Sequence, residues 1–149
     1  MREILFKAKL KNRSQWIEGF YCSMKETTYC FKEDYERNPV PTHHFIAVDT
    51  MTDWGLPNRL QLYEIDPETL CQFTGLCDKN GKKIWENDIL MAHLDESFPN
   101  DATYETVEWC AAGWVGHEIG SIDRQCLDEF DIEHYEVMGN VFDSLILFN

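Results

Sequence analysis

The stretch that decides the fold covers residues 72–90 and reads QFTGLCDKNGKKIWENDIL. At its centre, residues 78–83 form the clearest hairpin turn in the chain, because Asn80-Gly81 supplies the two positive-φ positions that a type I′ turn demands. After the turn, Ile84-Trp85 leads through residues 86–88 into an apolar strand at residues 89–92. The stretch therefore predicts a β-hairpin that feeds a further strand.

Period-two alternation of apolar and polar residues predicts more strands on both sides of this hairpin. Before it we expect a hairpin and three further strands, at residues 4–10, 15–22, 29–31, 43–49 and 59–65. After it we expect strands at residues 104–110, 114–119, 135–142 and 145–148. Asp66-Pro67-Glu68 is a helix-start signature with room for about one turn. The fold class is thus mainly β with little helix.

The domain organisation follows from loop composition. The loop at residues 50–58 contains Gly55 and Pro57, and it marks the best candidate for a domain boundary, near residue 60. We expect residues 1–60 to form an N-terminal β region that is not independent. Residues 61–149 are expected to form a C-terminal small barrel, because their strands are short and few.

Composition indicates a folded protein with a strongly uneven charge. The 149 residues are 44% hydrophobic and 13% aromatic, and the net charge is −14. Residues 1–94 hold 14 acids and 12 bases, whereas residues 95–149 hold 13 acids and Arg124 alone as a base. The negative charge of residues 95–149 repels phosphates, so direct nucleic-acid binding through them is not expected. This half is either a solvated face or a docking surface for a basic partner, including the nucleic-acid site of another protein.

The start of the chain and the cysteines point to the cytoplasm. Charges interrupt every short apolar run near Met1, and no stretch approaches the length of a transmembrane helix. The six cysteines form no Cys-x-x-Cys pair and no dense framework, so we expect buried free thiols.

Residues 72–90 closely resemble the signature of the YopX-like phage protein family. That pattern is Tyr/Phe-Thr-Gly-Leu, then Asp-Lys-Asn-Gly, then aromatic-Glu-Gly-Asp before an apolar strand. Residues 2–8 with Trp16 and Gly19, residues 107–109, and residues 135–142 fit in the right order. Asn87 stands where the family usually has Gly, and Cys77 stands where a charged residue is common.

The resemblance implies a protein encoded by a phage or prophage, with an SH3-like β-barrel in the C-terminal portion. It implies no biochemical activity and no site residues. Left-handed backbone is tolerated by asparagine, so the turn at Asn87 is expected to survive the departure from Gly.

No motif in the sequence carries catalytic chemistry. His43 and His44 are adjacent on a strand and face opposite sides, and His93, His117 and His134 are scattered. There is neither a Gly-x-Ser-x-Gly elbow nor a phosphate-binding glycine loop. With 27 acids, carboxylates close together identify no acid/base couple. We therefore name no catalytic, cofactor-binding or metal-binding residue, and whether the protein is an enzyme stays open, leaning to no.

Aromatic residues are expected mainly in the core. We assign Trp16, Trp85, Trp109 and Trp114 as core or barrel anchors, and any exceptions as a binding patch. The apolar tail at residues 141–148 is core or, alternatively, an oligomer contact.

Three functional hypotheses remain. The first is a phage or prophage accessory protein in the bacterial cytoplasm that binds an unidentified phage or host protein without catalysis, with a homo-oligomer possible. The second is an acidic mimic that blocks a DNA- or RNA-binding protein of the host. The third is a hydrolase using two carboxylates, which requires a deep pocket and a carboxylate of raised pKa.

Overall fold

The computed structural model describes residues 1–93, 100–129 and 131–143. It divides the chain into two compact units, one of Leu5–Leu70 and one of Met1–Ile4 with Cys71–Asn149. Strands dominate both units, which confirms the mainly β fold with little helix. Compactness does not show that a unit folds alone, so the domains at 1–60 and 61–149 stay predictions.

The first unit is an antiparallel meander of four strands. They lie side by side in the order β4-β3-β2-β1 and comprise β1 (Phe6–Lys9), β2 (Trp16–Lys25), β3 (Thr42–Thr50) and β4 (Arg59–Glu64). The expected hairpin of the first two strands is confirmed, with Ala8 opposite Ile17. A bridge between Leu10 and Ile65 returns the chain after β4 to the end of β1. The meander is thereby tied at both ends of its sequence.

The two faces of this meander have different environments because side chains alternate along each strand. Ala8, Ile46 and Ile65 point to one face and form the buried core of the unit. Phe20 and Leu62 belong to the other face, where both are exposed. The first unit therefore buries one sheet face and leaves apolar side chains on the other.

A short helix, α1 (Lys32–Arg37), follows the segment at residues 29–31 where a strand was expected. That strand prediction was wrong. The Tyr29 backbone N–H donates to the Tyr35 hydroxyl at 3.0 Å, and the two rings pack edge to face, which ties the segment to the helix. Six helical residues are too few to show a sustained 3.6-residue period. None of the helices in the described ranges is long and apolar enough to cross a bilayer.

The signature for one helical turn is confirmed as a 3-10 helix at Pro67–Thr69. The Asp66 carboxylate accepts the Glu68 N–H at 3.1 Å, as an N-cap should. The Thr69 hydroxyl in turn accepts the Lys9 N–H at 2.9 Å. This turn thus connects the end of the meander to β1.

The second unit combines a hairpin with a five-stranded antiparallel sheet. The hairpin consists of β5 (Cys71–Cys77) and β6 (Lys83–Trp85). The sheet has the order β10-β9-β8-β7-β11 and comprises β7 (Asp88–His93), β8 (Ala102–Cys110), β9 (Gly113–Glu118), β10 (Arg124–Cys126) and β11 (Glu136–Asn140). A 3-10 helix at Asp131–His134 precedes β11. The SH3-like form of this unit stays a prediction, and the strand expected at residues 145–148 lies outside the described residues.

The hairpin of residues 72–90 is confirmed, but its turn type was wrong. Gly81 has φ 79°, whereas Asn80 is not among the described residues with positive φ. The Gly81 N–H donates to the Asp78 carbonyl at 2.9 Å, which makes a type I turn followed by a glycine bulge. The Asp78 carboxylate accepts the N–H groups of Asn80 and Lys82, both at 2.9 Å. These bonds hold Asn80 in the right-handed region and so exclude type I′.

The two aspartates of this segment act as buried acceptors. Besides the turn, Asp78 accepts the Val137 N–H of β11 at 3.0 Å. Asp88 accepts the Trp85 N–H at 2.8 Å and the Asn140 side-chain amide at 2.9 Å. Both aspartates are more than nine-tenths buried. The segment therefore joins the hairpin to the last described strand.

The turn before β7 depends on Asn87, which has φ 64°. Its N–H donates to the Val107 carbonyl at 2.8 Å, and its carbonyl accepts the Val141 N–H at 2.9 Å. The tolerance of asparagine for left-handed backbone is thus confirmed at the position where Gly is usual in the resembling sequences.

Two expectations about burial were wrong in part. All six cysteines are free, but only Cys71 is buried, and Cys22, Cys30, Cys77 and Cys126 are exposed. These four cysteines lie on outward faces of strands, at strand ends or in loops, where the fold offers no core position in which to bury them.

Among the tryptophans expected in the core, Trp85 and Trp114 are buried as expected. Trp16 is half-buried, and Trp109 is 55% exposed, although it packs edge to face on Trp114 at 4.8 Å. Trp109 lies on the same side of β8 as the core residue Val107 but nearer the end of the strand, where it packs on Trp114 and stays partly open to solvent.

Candidate protein-binding surface

The loop between β3 and β4 carries the most exposed tryptophan side chain of the chain's described parts. Trp54 is 92% exposed, and Met51 and Leu56 are 73% and 59% exposed. We call these three side chains the apolar tip. Water-exposed groups of this kind, clustered on one loop, mark interaction sites more often than scattered surface residues do.

Hydrogen bonds within the loop fix the apolar tip in place. The Leu56 N–H donates to the Asp53 carbonyl at 3.2 Å, and Gly55 between them has φ 77°, as the third position of a type II turn requires. The Thr52 hydroxyl donates to the Pro57 carbonyl at 2.9 Å. A loop that is ordered before binding loses less conformational entropy on binding.

The surroundings of the apolar tip carry more acids than bases, with Asp49 and Asp53 against Arg59. The Asp53 carboxylate accepts the N–H of Trp54 at 2.7 Å, and the Asp49 carboxylate accepts the Asn58 side-chain amide at 3.3 Å. Both acids are exposed. A partner surface for the tip would therefore combine an apolar groove with basic groups at its rim.

A second group of exposed apolar side chains lies on the outward sheet face of the first unit. Phe20, Ala47 and Leu62 lie opposite one another on β2, β3 and β4. Phe20 is 55% and Leu62 44% exposed, while Ala47 is covered by its neighbours. Leu60, on the same face of β4, is 65% exposed. The first unit therefore exposes apolar side chains at two places, the tip and this sheet face.

A histidine–carboxylate cluster occupies the end of β4. The His43 Nδ1 donates to Glu64 at 2.9 Å, its Nε2 lies 3.5 Å from Glu26, and the Lys11 Nζ is 2.8 Å from Glu64. The Glu64 hydrogen bond raises the pKa of His43, and the His43 hydrogen bond lowers the pKa of Glu64. A cavity of about 360 Å³ adjoins Glu64, Lys11 and His44.

The neighbouring histidine takes a different partner. The His44 Nδ1 lies 2.7 Å from the Tyr21 hydroxyl, and the two rings stack. His43 and His44 therefore do not converge on one ligand, as their adjacent positions on a strand predict. In the part of the chain that the structure describes, no group of three or more His, Cys, Asp or Glu could hold a metal ion.

A second cluster of the same type lies on β8 and β9. The His117 Nδ1 donates to Glu108 at 3.0 Å, and its Nε2 donates to the Ser121 carbonyl at 2.9 Å. The Arg124 Nε is 3.4 Å from the same Glu108. The Glu108 hydrogen bond, followed by that of Ser121, raises the pKa of His117.

Both clusters favour ion pairing over acid/base chemistry. Each of the two histidines has an oxygen near both ring nitrogens, which leaves neither nitrogen open to take a proton from a substrate. Glu64, Asp78 and Glu108 have lowered pKa values and are ionised at neutral pH. A two-carboxylate hydrolase needs the opposite shift at its general acid.

The apolar tip was not predicted from the sequence. Residues 50–58 were interpreted as a loop and boundary, and four other tryptophans were assigned to the core. The available signal was Trp54 itself: it lies next to Gly55 in a loop, outside any alternating strand pattern, so no sheet face could bury it.

Comparison with known proteins identifies the family. The structure of protein EF1440 from Enterococcus faecalis resembles this one over 100% of both chains, with a TM-score of 0.61 and 15% sequence identity. At that identity the likeness shows the fold alone. No curated protein sequence matches the chain. A family model described as YopX protein matches residues 5–148, nearly the whole chain, and the chain therefore belongs to the YopX protein family.

Proposed function

We propose that this protein is a non-catalytic binding module that takes a protein partner on its apolar tip. The observation that carries the proposal is Trp54, 92% exposed on a loop whose own hydrogen bonds hold it outward. Large aromatic side chains of this kind supply much of the binding energy in protein interfaces. An exposed tryptophan is costly in water, and a partner groove removes that cost.

The partner is expected to be a basic protein with an apolar groove. Asp49 and Asp53 flank the tip, and the chain as a whole has a net charge of −14. Long-range attraction would speed association with a basic surface and weaken as salt is added. In keeping with the family, we place the protein among phage or prophage accessory proteins in the cytoplasm of the bacterial host.

Site-specific photo-crosslinking in the native cells tests the proposal. A photo-reactive amino acid replaces Trp54 in one variant and Phe31 in the control, because Phe31 is also apolar and 68% exposed. Irradiation should give one dominant protein adduct from position 54 that is absent from position 31. Equal adducts from both positions, or none from position 54, would overturn the proposal.

A second candidate function rests on the charge of the C-terminal part. Residues 95–149 hold 13 acids and one base, a balance of −12. An acidic mimic would occupy the nucleic-acid site of a host protein through these residues, without needing the apolar tip. If so, binding should survive Trp54→Ala and be lost in moderate salt, whereas tip-mediated binding should be lost with Trp54→Ala.

A further inference from the structure

Among the residues that the structure describes, the outer edge of β4 has no partner strand except at its end, where the Glu64 carbonyl is bound. This strand is the last in the order β4-β3-β2-β1. The Ile65 N–H donates to the His44 carbonyl of β3, and the Glu64 carbonyl accepts the Lys11 N–H on the other side, both at 3.0 Å. Backbone groups of successive residues point in alternate directions in an antiparallel strand. The N–H and C=O groups of Leu60 and Leu62 therefore point outward, as those of Glu64 do.

This edge lacks the usual protection against pairing. Natural edge strands carry prolines, lysines or bulges that block a second strand. Residues 59–64 read RLQLYE, without proline or lysine, and pair with β3 in continuous register. On the outward backbone, the Leu62 carbonyl accepts a long 3.5 Å hydrogen bond from the Gln61 side chain. A backbone N–H from another strand would replace that bond with a shorter one.

We infer that β4 pairs antiparallel with β4 of a second copy of this chain, around a two-fold axis at Gln61. In that register Leu60 lies opposite Leu62 of the second copy. The two-fold symmetry likewise places Leu62 opposite Leu60 of the second copy. Both residues have outward backbone groups, so the two pairs exchange four backbone hydrogen bonds. Arg59 lies opposite Tyr63 of the second copy. The strand is thus self-complementary, as a two-fold interface requires.

Side chains select this register over its neighbours. A two-fold axis perpendicular to the sheet keeps each face of the strand on the same side. The competing registers therefore differ by two residues in pairing, which moves the axis by one residue to Leu60 or Leu62. An axis at Leu62 would place exposed Leu60 opposite Glu64, whose charged carboxylate is bound to Lys11. In the register around Gln61 the residue opposite Glu64 is Asn58, which lies outside the strand. An axis at Leu60 would place Asn58 opposite Leu62. The axis at Gln61 alone pairs leucine with leucine on both sides.

The dimer does not depend on the proposed function, because it uses the strand edge and leaves the apolar tip free. Antiparallel pairing directs the two β3–β4 loops to opposite ends of the joined sheet. Each dimer would thus present two copies of Trp54 that cannot bind the same groove. A partner with two grooves, or two partners, would be bound more tightly by the dimer than by one chain.

Sedimentation velocity over a wide concentration range tests the inference. The wild-type chain should shift from monomer to dimer as its concentration rises. Leu60→Lys places a cation opposite Leu62 in both symmetric pairs and should raise the dissociation constant about tenfold or more. Leu56→Lys is the matched control, because Leu56 is 59% exposed on the apolar tip and Leu60 is 65% exposed on the edge. The control should dimerise like the wild type.

A charge pair tests the register itself. In the double variant Leu60→Lys/Leu62→Glu, each introduced lysine faces an introduced glutamate of the other copy only if the axis lies at Gln61. This variant should recover most of the association that Leu60→Lys loses. A wild-type chain that remains monomeric at the highest concentration measured, or a dimer insensitive to Leu60→Lys, would overturn the inference. Failure of the double variant to recover association would overturn the register.

Discussion

At the scale of single residues, the acids of residues 72–90 stabilise the fold. Asp78 receives backbone N–H groups from Asn80, Lys82 and Val137 while lying nearly buried. Burial alone would raise the pKa of Asp78, but these three hydrogen bonds and the nearby Lys82 charge lower it. Turn geometry and buried hydrogen-bond acceptors therefore account for the structural part that Asp78 takes in this motif.

The substitution Asp78→Ala should lower the free energy of unfolding by about 3 kcal/mol, because it leaves buried N–H donors without an acceptor. A lowered carboxylate pKa adds stability above the unfolded value near 3.8 that is lost as the pH falls through the folded value. Asp78→Asn should therefore flatten the acid limb of the stability curve. Urea unfolding between about pH 2 and about pH 7 measures both effects.

Asp101 provides the control, because its carboxylate is exposed. Asp101→Asn should leave the acid limb close to that of the wild type. An acid limb of equal slope in the wild type and in Asp78→Asn would contradict the role assigned to Asp78.

At the scale of elements, sequence patterns predicted what is local. The alternation in β1 and β2 and the turn at Gly81 depend on neighbouring residues, so both hairpins were predicted correctly. The turn type was missed because it depends on the Asp78 carboxylate, which the Asn-Gly pattern does not take into account. The helix α1 was missed because six residues show no period.

The candidate surface was harder to predict than the strands. Which face of β2 and β4 is buried depends on the bridge from Leu10 to Ile65 and on the placement of Ile46, which are not local in sequence. The alternation identifies two faces of a strand without showing which one a core covers. The exposure of Phe20 and Leu62 therefore required the structure.

Close packing of β2 on β3 depends on Gly19. A Cβ atom at this position would meet the Ala47 carbonyl oxygen and come within 2.9 Å of the Ile46 Cγ2. Gly19→Ala should lower the free energy of unfolding by about 2 kcal/mol, because strand backbone cannot move aside as a flexible side chain can. Ser23→Ala, at an exposed position of the same strand, should change it by less than about 0.5 kcal/mol. Equal effects of the two substitutions in chemical denaturation would show that the contact is not limiting.

At the scale of the whole molecule, two histidines couple stability to pH. His43 and His117 both have pKa values raised above 6.5, chiefly by hydrogen bonds to Glu64 and Glu108. A raised histidine pKa adds stability that is fully present below the unfolded value and is lost as the pH rises through the folded value. The chain should therefore lose stability from about pH 6.5 upward.

The variants His43→Gln and His117→Gln should each reduce that loss, since each removes one titrating group. Urea unfolding between about pH 5.5 and about pH 8.5 measures the slope. His134→Gln is the control, because the His134 side chain is exposed. A double variant that retains the wild-type slope would show that other groups control this limb.

The central claim is that the apolar tip binds a protein partner. The most direct measurement is competition for the photo-crosslinked adduct formed from position 54. Excess wild-type chain should suppress the adduct. The variant Leu60→Lys, which alters the strand edge and not the tip, should suppress it as well, even as a monomer. Leu56→Lys, which alters the tip, should fail to suppress it. Equal suppression by Leu56→Lys and the wild type would contradict the claim.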